Sequence, residues 1–303
     1  LGMTNVAIIL LGGHLVANMS MQVGDLIAFM TYATQIMISF MMLSMIFVFV
    51  PRASASATRV NAVLDQPISI HNAPEKDQEK ISINQPASLE FKNVNFRFHG
   101  AERLALHDLN FKVTAGQTLA IIGGTGSGKS ALVNLIPRLF DIESGEIKVD
   151  GVPVKKLSQH NLHEVISITQ QQAVLFSGTI RSNLQFGYEE ATDKEMWHAL
   201  EIAQAADFVR EEGGLDAVVE QNGSNFSGGQ RQRLAIARTI IKPASIYVFD
   251  DSFSALDFET DAKLRAALAK DPQIQRAVTV IVAQRISTVV DADQIIVLDE
   301  GRV

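Results

Sequence analysis

The chain has no cysteine, which excludes a disulfide framework and any metal site built on thiolates. It also has no lysine or arginine before Arg52, and Asp25 is the only charged residue in that N-terminal part. The 26 basic residues that follow form no cluster, and the formal net charge is −7, so the sequence gives no indication of a nucleic-acid partner. The missing charge leaves an apolar N-terminal segment to be explained.

That segment has the length and composition of membrane-spanning helices. Residues 26–50 are uncharged throughout, and at about 1.5 Å per residue a helix of this length exceeds the roughly 30 Å hydrocarbon core of a bilayer. Residues 1–17 predict the end of an earlier span, and they lack the basic start of a signal peptide. Arg52 and Arg59 follow the long run, which by the positive-inside rule places the later residues in the cytoplasm. We therefore expect a multi-pass protein of the cell membrane, with a buried core helix as the alternative for 26–50.

The rest of the chain divides into a connecting part and a globular part. Residues 51–86 begin with small and apolar residues at helical spacing and continue as a mixture of Pro, Asn and charges, which predicts a cytosolic helix extension and a linker. Residues 88–98 and 105–113 alternate like antiparallel strands. Short apolar runs typical of buried parallel strands follow at 118–122, 246–250, 278–283 and 294–299. The expected domains are thus 1–50, 51–86 and 87–303, and the chain reads as a piece of a longer protein.

The segment GGTGSGKS fits the phosphate-loop pattern G-x-x-x-x-G-K-[ST], between a strand pattern and a helical pattern. Its residues are Gly123, Gly124, Thr125, Gly126, Ser127, Gly128, Lys129 and Ser130. The glycines allow backbone N–H groups to surround phosphate oxygens, and Lys129 is expected to reach the β- and γ-phosphates while the Ser130 hydroxyl binds Mg²⁺. A glycine-rich turn without a ligand is the alternative, and the strand–loop–helix context favours a nucleotide site.

Two further segments have the chemistry of such a site. Asp250 ends the strand pattern IYVFD and is expected to hold Mg²⁺, directly or through water, unless it is a buried structural aspartate. Ser227, Gly228 and Gly229 open an amphipathic helix that stops before Pro243, and a helix start of this kind favours an anion.

Together with the phosphate loop, the segment SGGQ resembles the nucleotide-binding domain of ABC transporters. In that family SGGQ is the signature that closes over the ATP of the partner subunit, which would assign this contact to Ser227, Gly228, Gly229 and Gln230. The segment SALD is similar to the D-loop of the family, whose aspartate, here Asp257, would face the other subunit across the dimer.

The resemblance also extends to the adenine and the γ-phosphate. Phe98 matches the aromatic residue that stacks on adenine, although a strand core residue is the alternative. Gln171 matches the glutamine of the Q-loop, which senses the γ-phosphate and Mg²⁺. Three consecutive glutamines leave the register open, so that Gln170 is a second candidate and a polar loop without such a role a third interpretation.

Two positions depart from the hydrolysing members of the family. The residue after the Mg²⁺ aspartate is Asp251 where those proteins have glutamate, and its carboxylate falls about 1.5 Å short of the position from which a general base would reach its proton. A misplacement of that size costs on the order of a hundredfold in rate. The switch position is Gln284 where those proteins have histidine, and a glutamine cannot hold a proton. Both changes predict weak hydrolysis at this site.

The apolar N-terminal part fits the same family. Residues 23–36 look like the last transmembrane helix of an exporter-type ABC protein that runs directly into its ATPase domain. The resemblance thus covers essentially the whole chain and implies that earlier spans and the end of the ATPase domain are missing from it.

The combination of an intact signature with Asp251 and Gln284 resembles one half of the heterodimeric multidrug-type ABC exporters of bacteria. The resemblance implies an α/β P-loop NTPase with an antiparallel β subdomain and an α-helical signature subdomain, preceded by transmembrane helices. It further implies ATP and Mg²⁺ as cofactors, a second half-subunit as partner, a lipid membrane, and a transported substrate that the sequence leaves unidentified. A homodimeric exporter with Asp251 as a slow base and an ATP-gated channel or regulatory membrane protein are the alternatives.

Overall fold

The computed structural model describes residues 2–284 and 289–303, so that Leu1 of the first expected span lies outside the described residues. Contacts between Cα atoms divide the chain into two compact units, one up to Ser69 and one from Ile70 to Val303.

The first unit consists of two helices joined by a short turn, α1 (Gly2–Ala17) and α2 (Val23–Leu64). Gly12 of α1 is buried against the side chain of Leu26 of α2, where a larger residue would collide. The helix α2 continues through Pro51, and by length and composition it is able to cross a membrane. The hydroxyls of α2 that lie within its apolar part donate to carbonyls four residues earlier, which satisfies them without water; these are Thr31, Thr34, Ser39 and Ser44.

The second unit alternates strands and helices. Its strands are β1 (Ser88–Phe96), β2 (Leu106–Thr114), β3 (Thr118–Gly123), β4 (Ser144–Val149), β5 (Val152–Pro153), β6 (Ile166–Thr169), β7 (Gly178–Thr179), β8 (Val218–Val219), β9 (Ile246–Asp250), β10 (Val278–Val282) and β11 (Gln294–Leu298). Its helices are α3 (Lys129–Leu135), α4 (Gln159–Glu164), α5 (Ile180–Gln185), α6 (Asp193–Ile202), α7 (Ala206–Glu211), α8 (Gly228–Ile240) and α9 (Phe258–Lys270).

An antiparallel sheet in the order β2-β1-β4-β5 forms the first layer. Phe91 of β1 pairs with Phe111 of β2, and the two rings stack with centroids 4.5 Å apart. The alternating pattern of residues 88–98 and 105–113 predicted these two strands, and their antiparallel pairing is confirmed.

A parallel sheet in the order β11-β3-β10-β9-β6 forms the centre of the unit. Its strands are apolar on both faces because each face is covered: in β9, Ile246 and Val248 pack into one hydrophobic cluster, and Tyr247 and Phe249 into the other. The four short apolar runs predicted as parallel strands all lie in this sheet. The strand β6 was not predicted, because its four residues lead directly into a polar run of glutamines.

A helical subdomain, α5 to α8, is inserted between β6 and β9. Three of these helices, α5, α6 and α8, begin at hydroxyl residues that accept a hydrogen bond from a backbone N–H in the first turn, namely Thr179, Thr192 and Ser227. With the two sheets, this subdomain gives the α/β fold that was predicted, including its antiparallel β part and its helical part.

The segment before β1 lies against the globular unit, which begins earlier than residue 87. Asn161 at α4 both donates to the carbonyl oxygen and accepts from the N–H of Ile81, at 2.9 Å each, and Ile81 is buried. Arg138, itself 4% exposed, donates to the carbonyl oxygen of His71 at 3.0 Å. The mixed composition of residues 66–80 conceals this packing, because the contacts are made largely by backbone groups.

Candidate functional site

The phosphate-loop segment connects β3 to α3, and its shape depends on glycine at two places. A Cβ added to Gly123 would lie 2.2 Å from the carbonyl oxygen of Leu298, at the end of the neighbouring strand β11. Gly128 has φ +105°, a left-handed conformation that side chains disfavour, and a Cβ there would lie 2.8 Å from the Leu106 side chain. Both glycines are therefore required by close contacts of the loop, Gly123 with the central sheet and Gly128 with β2 of the antiparallel sheet.

The Lys129 ammonium lies folded back over this loop. Its Nζ donates to the carbonyl oxygens of Gly123 at 2.8 Å and of Gly124 at 2.7 Å. An ammonium has three donors, so one N–H remains for an anion above the loop. The arrangement holds a positive charge at the mouth of the loop.

Ser127 adds a polar atom without a partner. It is 5% exposed, and its hydroxyl has no hydrogen-bond partner in the part of the chain that the structure describes. The backbone carbonyl oxygen of Ser127 accepts a hydrogen bond from the N–H of Gly301 at 3.0 Å, so the turn after β11 holds the phosphate loop in place. Sequence analysis missed this support, although the Glu300–Gly301 pair, both at positive φ, is a typical turn signal.

Asp250 stands at the end of β9, at the same sheet edge as the phosphate loop at the end of β3, since both strands pair in parallel with β10. Burial raises the pKa of the Asp250 carboxyl, as does the charge of Asp251, and the Lys129 charge opposes them. A divalent cation would relieve this cost of burial. The exposed Ser130 hydroxyl at the start of α3 and the Asp250 carboxylate are oxygen donors of the kind that Mg²⁺ prefers.

Asp251 is the meeting point of three loops. Gln284, after β10, donates from Nε2 to Asp251 Oδ2 at 2.6 Å, and Gln171, after β6, donates from Nε2 to the same oxygen at 3.4 Å. Asp251 is 7% exposed, and burial raises the pKa of its carboxyl while the two amide donors and the Lys129 charge lower it. The structure thus brings together the three residues predicted for catalysis, and Gln171 is the glutamine of the run that contacts the carboxylate.

Phe98 lies just beyond the end of β1 and is 42% exposed, so it is not a buried strand core residue. Its ring contacts Phe96 edge to face with centroids 4.8 Å apart, and Phe140 in the same manner at 5.5 Å. Phe140 was not singled out from the sequence. Its position close after the helix that follows the phosphate loop was the available signal.

The predicted signature residues form the start of α8. Ser227 Oγ accepts from the Gln230 N–H at 3.3 Å, and Gln230 Oε1 accepts from the Ser227 N–H at 2.8 Å, which is a capping box. A Cβ added to Gly228 would meet nothing within 4 Å. Within the described residues, the side chains of Ser227 and Gln230 hydrogen-bond to each other's backbone and not to the phosphate loop, and Ser227 and Gly228 are exposed, so this group presents an open helix start.

Asp257 caps the next helix, α9. Its Oδ1 accepts from the Thr260 N–H at 2.9 Å and its Oδ2 from the Thr260 hydroxyl at 2.7 Å. These bonds lower the pKa of the Asp257 carboxyl. Asp257 is exposed at the start of α9. Its predicted contact with a second subunit stays a prediction.

Comparisons with known proteins agree with this geometry. Residues 106–254 match the family model described as ABC transporter. The chain is 43% identical over 305 residues to an uncharacterized ABC transporter ATP-binding protein of Mycobacterium tuberculosis (strain ATCC 25618 / H37Rv), covering 99% of this chain and 51% of the relative. It is 38% identical over 300 residues to a Beta-(1-->2)glucan export ATP-binding/permease protein of Agrobacterium fabrum, covering 98% of this chain and 50% of the relative.

A solved structure of a bacterial Atm1-family ABC exporter with ATP bound matches this chain with a TM-score of 0.80 and 32% identity. The match covers 100% of this chain and 54% of that chain. The chain therefore spans about half the length of the curated relatives it matches. Its globular unit has the ABC-type nucleotide-binding fold of exporters, which is a P-loop NTPase fold.

Proposed function

We propose that this chain is the ATP-binding half-subunit of an ABC-type exporter, which couples ATP binding and hydrolysis at a dimer interface to efflux of a substrate across a membrane. The observation that supports it most is the closed phosphate loop with the Lys129 ammonium folded over it, in a domain whose relatives are named as export proteins. The apolar helix α2 supports the membrane location, with the globular unit in the cytoplasm.

The site residues have distinct parts in this proposal. The backbone of residues 123–130 and Lys129 hold the phosphates, and Phe98 stacks on the adenine. The Ser130 hydroxyl, Asp250 and Gln171 hold Mg²⁺, which supplies charge neutralisation between the phosphates when bound. The open helix start at Ser227–Gln230 and Asp257 serve the site of the partner subunit.

The cluster of Asp251, Gln171 and Gln284, which we call the corner around Asp251, favours a site that keeps ATP bound and hydrolyses it slowly. A general base needs a free carboxylate within reach of water, whereas Asp251 Oδ2 accepts from Gln284 at 2.6 Å. The Gln284 amide is neither an acid nor a base near neutral pH, so the pair lacks the acid–base capacity of a glutamate and a histidine. In this proposal the partner subunit supplies the competent site, and the two chains form a heterodimer.

The experiment is a measurement of ATP turnover by the chain alone and after co-expression with a second half-subunit that has glutamate and histidine at these positions. The chain alone is expected to turn over ATP on the order of a hundredfold more slowly than the two co-expressed half-subunits together. Rapid turnover by the isolated chain would refute the degenerate site and leave the exporter assignment intact.

One observation favours a second candidate, a homodimeric exporter in which Asp251 is a slow base. Burial raises the pKa of the Asp251 carboxyl, and a raised pKa suits a carboxylate for proton abstraction near neutral pH. The substitution Asp251→Asn separates the two candidates. It abolishes turnover in the homodimer, whereas in the heterodimer it leaves the rate nearly unchanged.

A further inference from the structure

The two amides at the corner converge on a single atom. Gln284 and Gln171 each donate from Nε2 to Asp251 Oδ2, although they follow different strands of the sheet. A carboxylate only accepts hydrogen bonds, so the nitrogen of each amide, and not its oxygen, has to face Asp251. The contact with Asp251 therefore selects one of the two orientations that differ by exchange of oxygen and nitrogen.

The backbone of Asp251 is held by hydrogen bonds that do not involve the two amides. Its N–H donates to the carbonyl oxygen of Val282 at 3.0 Å, and its carbonyl oxygen accepts from the Ser254 hydroxyl at 2.8 Å. It has φ +48°, a left-handed conformation that is uncommon outside glycine. The main chain that carries the Asp251 carboxylate is therefore held independently of Gln171 and Gln284.

The orientation matters most for Gln171, the predicted Mg²⁺ ligand. Mg²⁺ binds oxygen atoms, and an amide that turns its nitrogen toward the ion would repel it. With its nitrogen committed to Asp251, the carbonyl oxygen of Gln171 is the atom left for the metal. Gln284 holds the same carboxylate oxygen from a second side at 2.6 Å and so limits its movement.

We infer that Asp251 is a positioning residue for the metal site: it orients the Gln171 amide so that its oxygen is available to Mg²⁺, and Gln284 braces it. This inference rests on the proposed nucleotide site and gives Asp251 a part that does not require it to remove a proton. Substitution of a residue that hydrogen-bonds to a metal ligand commonly lowers metal affinity about 10- to 100-fold.

Two substitutions separate this part from a merely structural one. Because both amides bind one oxygen, Asp251→Asn keeps an acceptor in place and loses only the charge, whereas Asp251→Ala removes the acceptor. Glu259→Gln is the control, since Glu259 is an exposed acid that pairs with Lys263 on the surface of α9.

The experiment measures the affinity of the full chain, in detergent, for a trinitrophenyl derivative of ATP, once with Mg²⁺ and once with EDTA. Asp251→Ala is expected to lose about 10-fold in affinity with Mg²⁺ and to equal the parent with EDTA, whereas Asp251→Asn and Glu259→Gln follow the parent in both. Binding of Mn²⁺ with a non-hydrolysable ATP analogue, followed by electron paramagnetic resonance, is expected to weaken in the same order.

Three results overturn the inference. The first is an Asp251→Ala variant whose nucleotide affinity with Mg²⁺ equals that of the parent. The second is an Asp251→Ala variant that loses affinity equally with Mg²⁺ and with EDTA. The third is an Asp251→Asn variant that loses as much affinity as Asp251→Ala. A parent chain that binds no nucleotide in either condition refutes the proposed function itself and the inference with it, so the parent measurement tells the two failures apart.

Discussion

The phosphate loop and the corner around Asp251 lie at the same edge of the central sheet but differ in how they are built. The loop is one continuous segment whose lysine binds its own carbonyls. The corner joins side chains from three loops on one carboxylate oxygen. The loop has every residue of its pattern, whereas the corner has Asp251 and Gln284 at the positions where the family resemblance predicts glutamate and histidine for a hydrolysing site. We therefore expect that ATP binding and ATP hydrolysis respond differently to substitutions in the two regions, and four sets of variants test this comparison.

The largest effect is expected from Lys129→Ala, which removes the charge at the mouth of the loop and the bonds that close it. Loss of charged hydrogen bonds of about 3 kcal/mol corresponds to roughly a hundredfold weaker ATP binding. Titration with a fluorescent ATP analogue measures it. Lys263→Ala is the control, because Lys263 is exposed and, among the described residues, forms an ion pair with Glu259 on the surface of α9. Equal losses in both variants would mean that general charge, and not the loop, determines affinity.

The second largest effect is expected in the rate of ATP hydrolysis, from changes in the corner around Asp251. Asp251→Glu combined with Gln284→His introduces the glutamate and histidine that the family resemblance predicts for a hydrolysing site and is expected to raise ATP turnover of the chain by about 10- to 100-fold, since the carboxylate reaches further. Phosphate release measures the rate, and ATP affinity serves as the control because the phosphate loop is unchanged. A double variant as slow as the parent would show that these two residues do not limit hydrolysis.

A matched pair of glycines tests the shape of the loop. Gly123→Ala places a Cβ 2.2 Å from the carbonyl oxygen of Leu298, so we expect a loss of about 2 kcal/mol in unfolding free energy. Gly124→Ala meets nothing within 4 Å and is expected to leave stability nearly unchanged. Thermal unfolding compares the two variants. Similar melting temperatures would argue that β11 does not confine the loop.

The smallest effect is expected at the aromatic group of Phe96, Phe98 and Phe140. Phe98→Ala removes the ring proposed to stack on adenine and is expected to weaken ATP binding by about 1–2 kcal/mol. Phe140→Ala removes a ring that contacts Phe98 and Phe96 and is expected to cost less. Titration with a fluorescent ATP analogue measures both variants. If Phe140→Ala were the more damaging change, the stacking residue would have to be reassigned.

Local segments were the part of the structure that the sequence predicted well. The phosphate loop, the four predicted parallel strands and the antiparallel pair of β1 and β2 each have their pattern in consecutive residues. Patterns in consecutive residues did not predict the parts of the structure that depend on contacts between residues distant in the sequence. The strand β6 was too short to stand out, and the segment before β1 binds through Ile81 and His71 carbonyls that have no sequence signal.

The sequence alone predicts the chemical groups of the candidate site: glycines and a lysine for phosphate, Asp250 for a metal, and Asp251 with Gln284 at the positions expected for a base and its switch. The tertiary structure adds that the side chains of Gln171 and Gln284, from two separate loops, contact one carboxylate oxygen of Asp251 in a third. The physical reason is that parallel strands bring the loops at their carboxyl ends to one edge of the sheet, while the distances between side chains there depend on the packing of the whole domain.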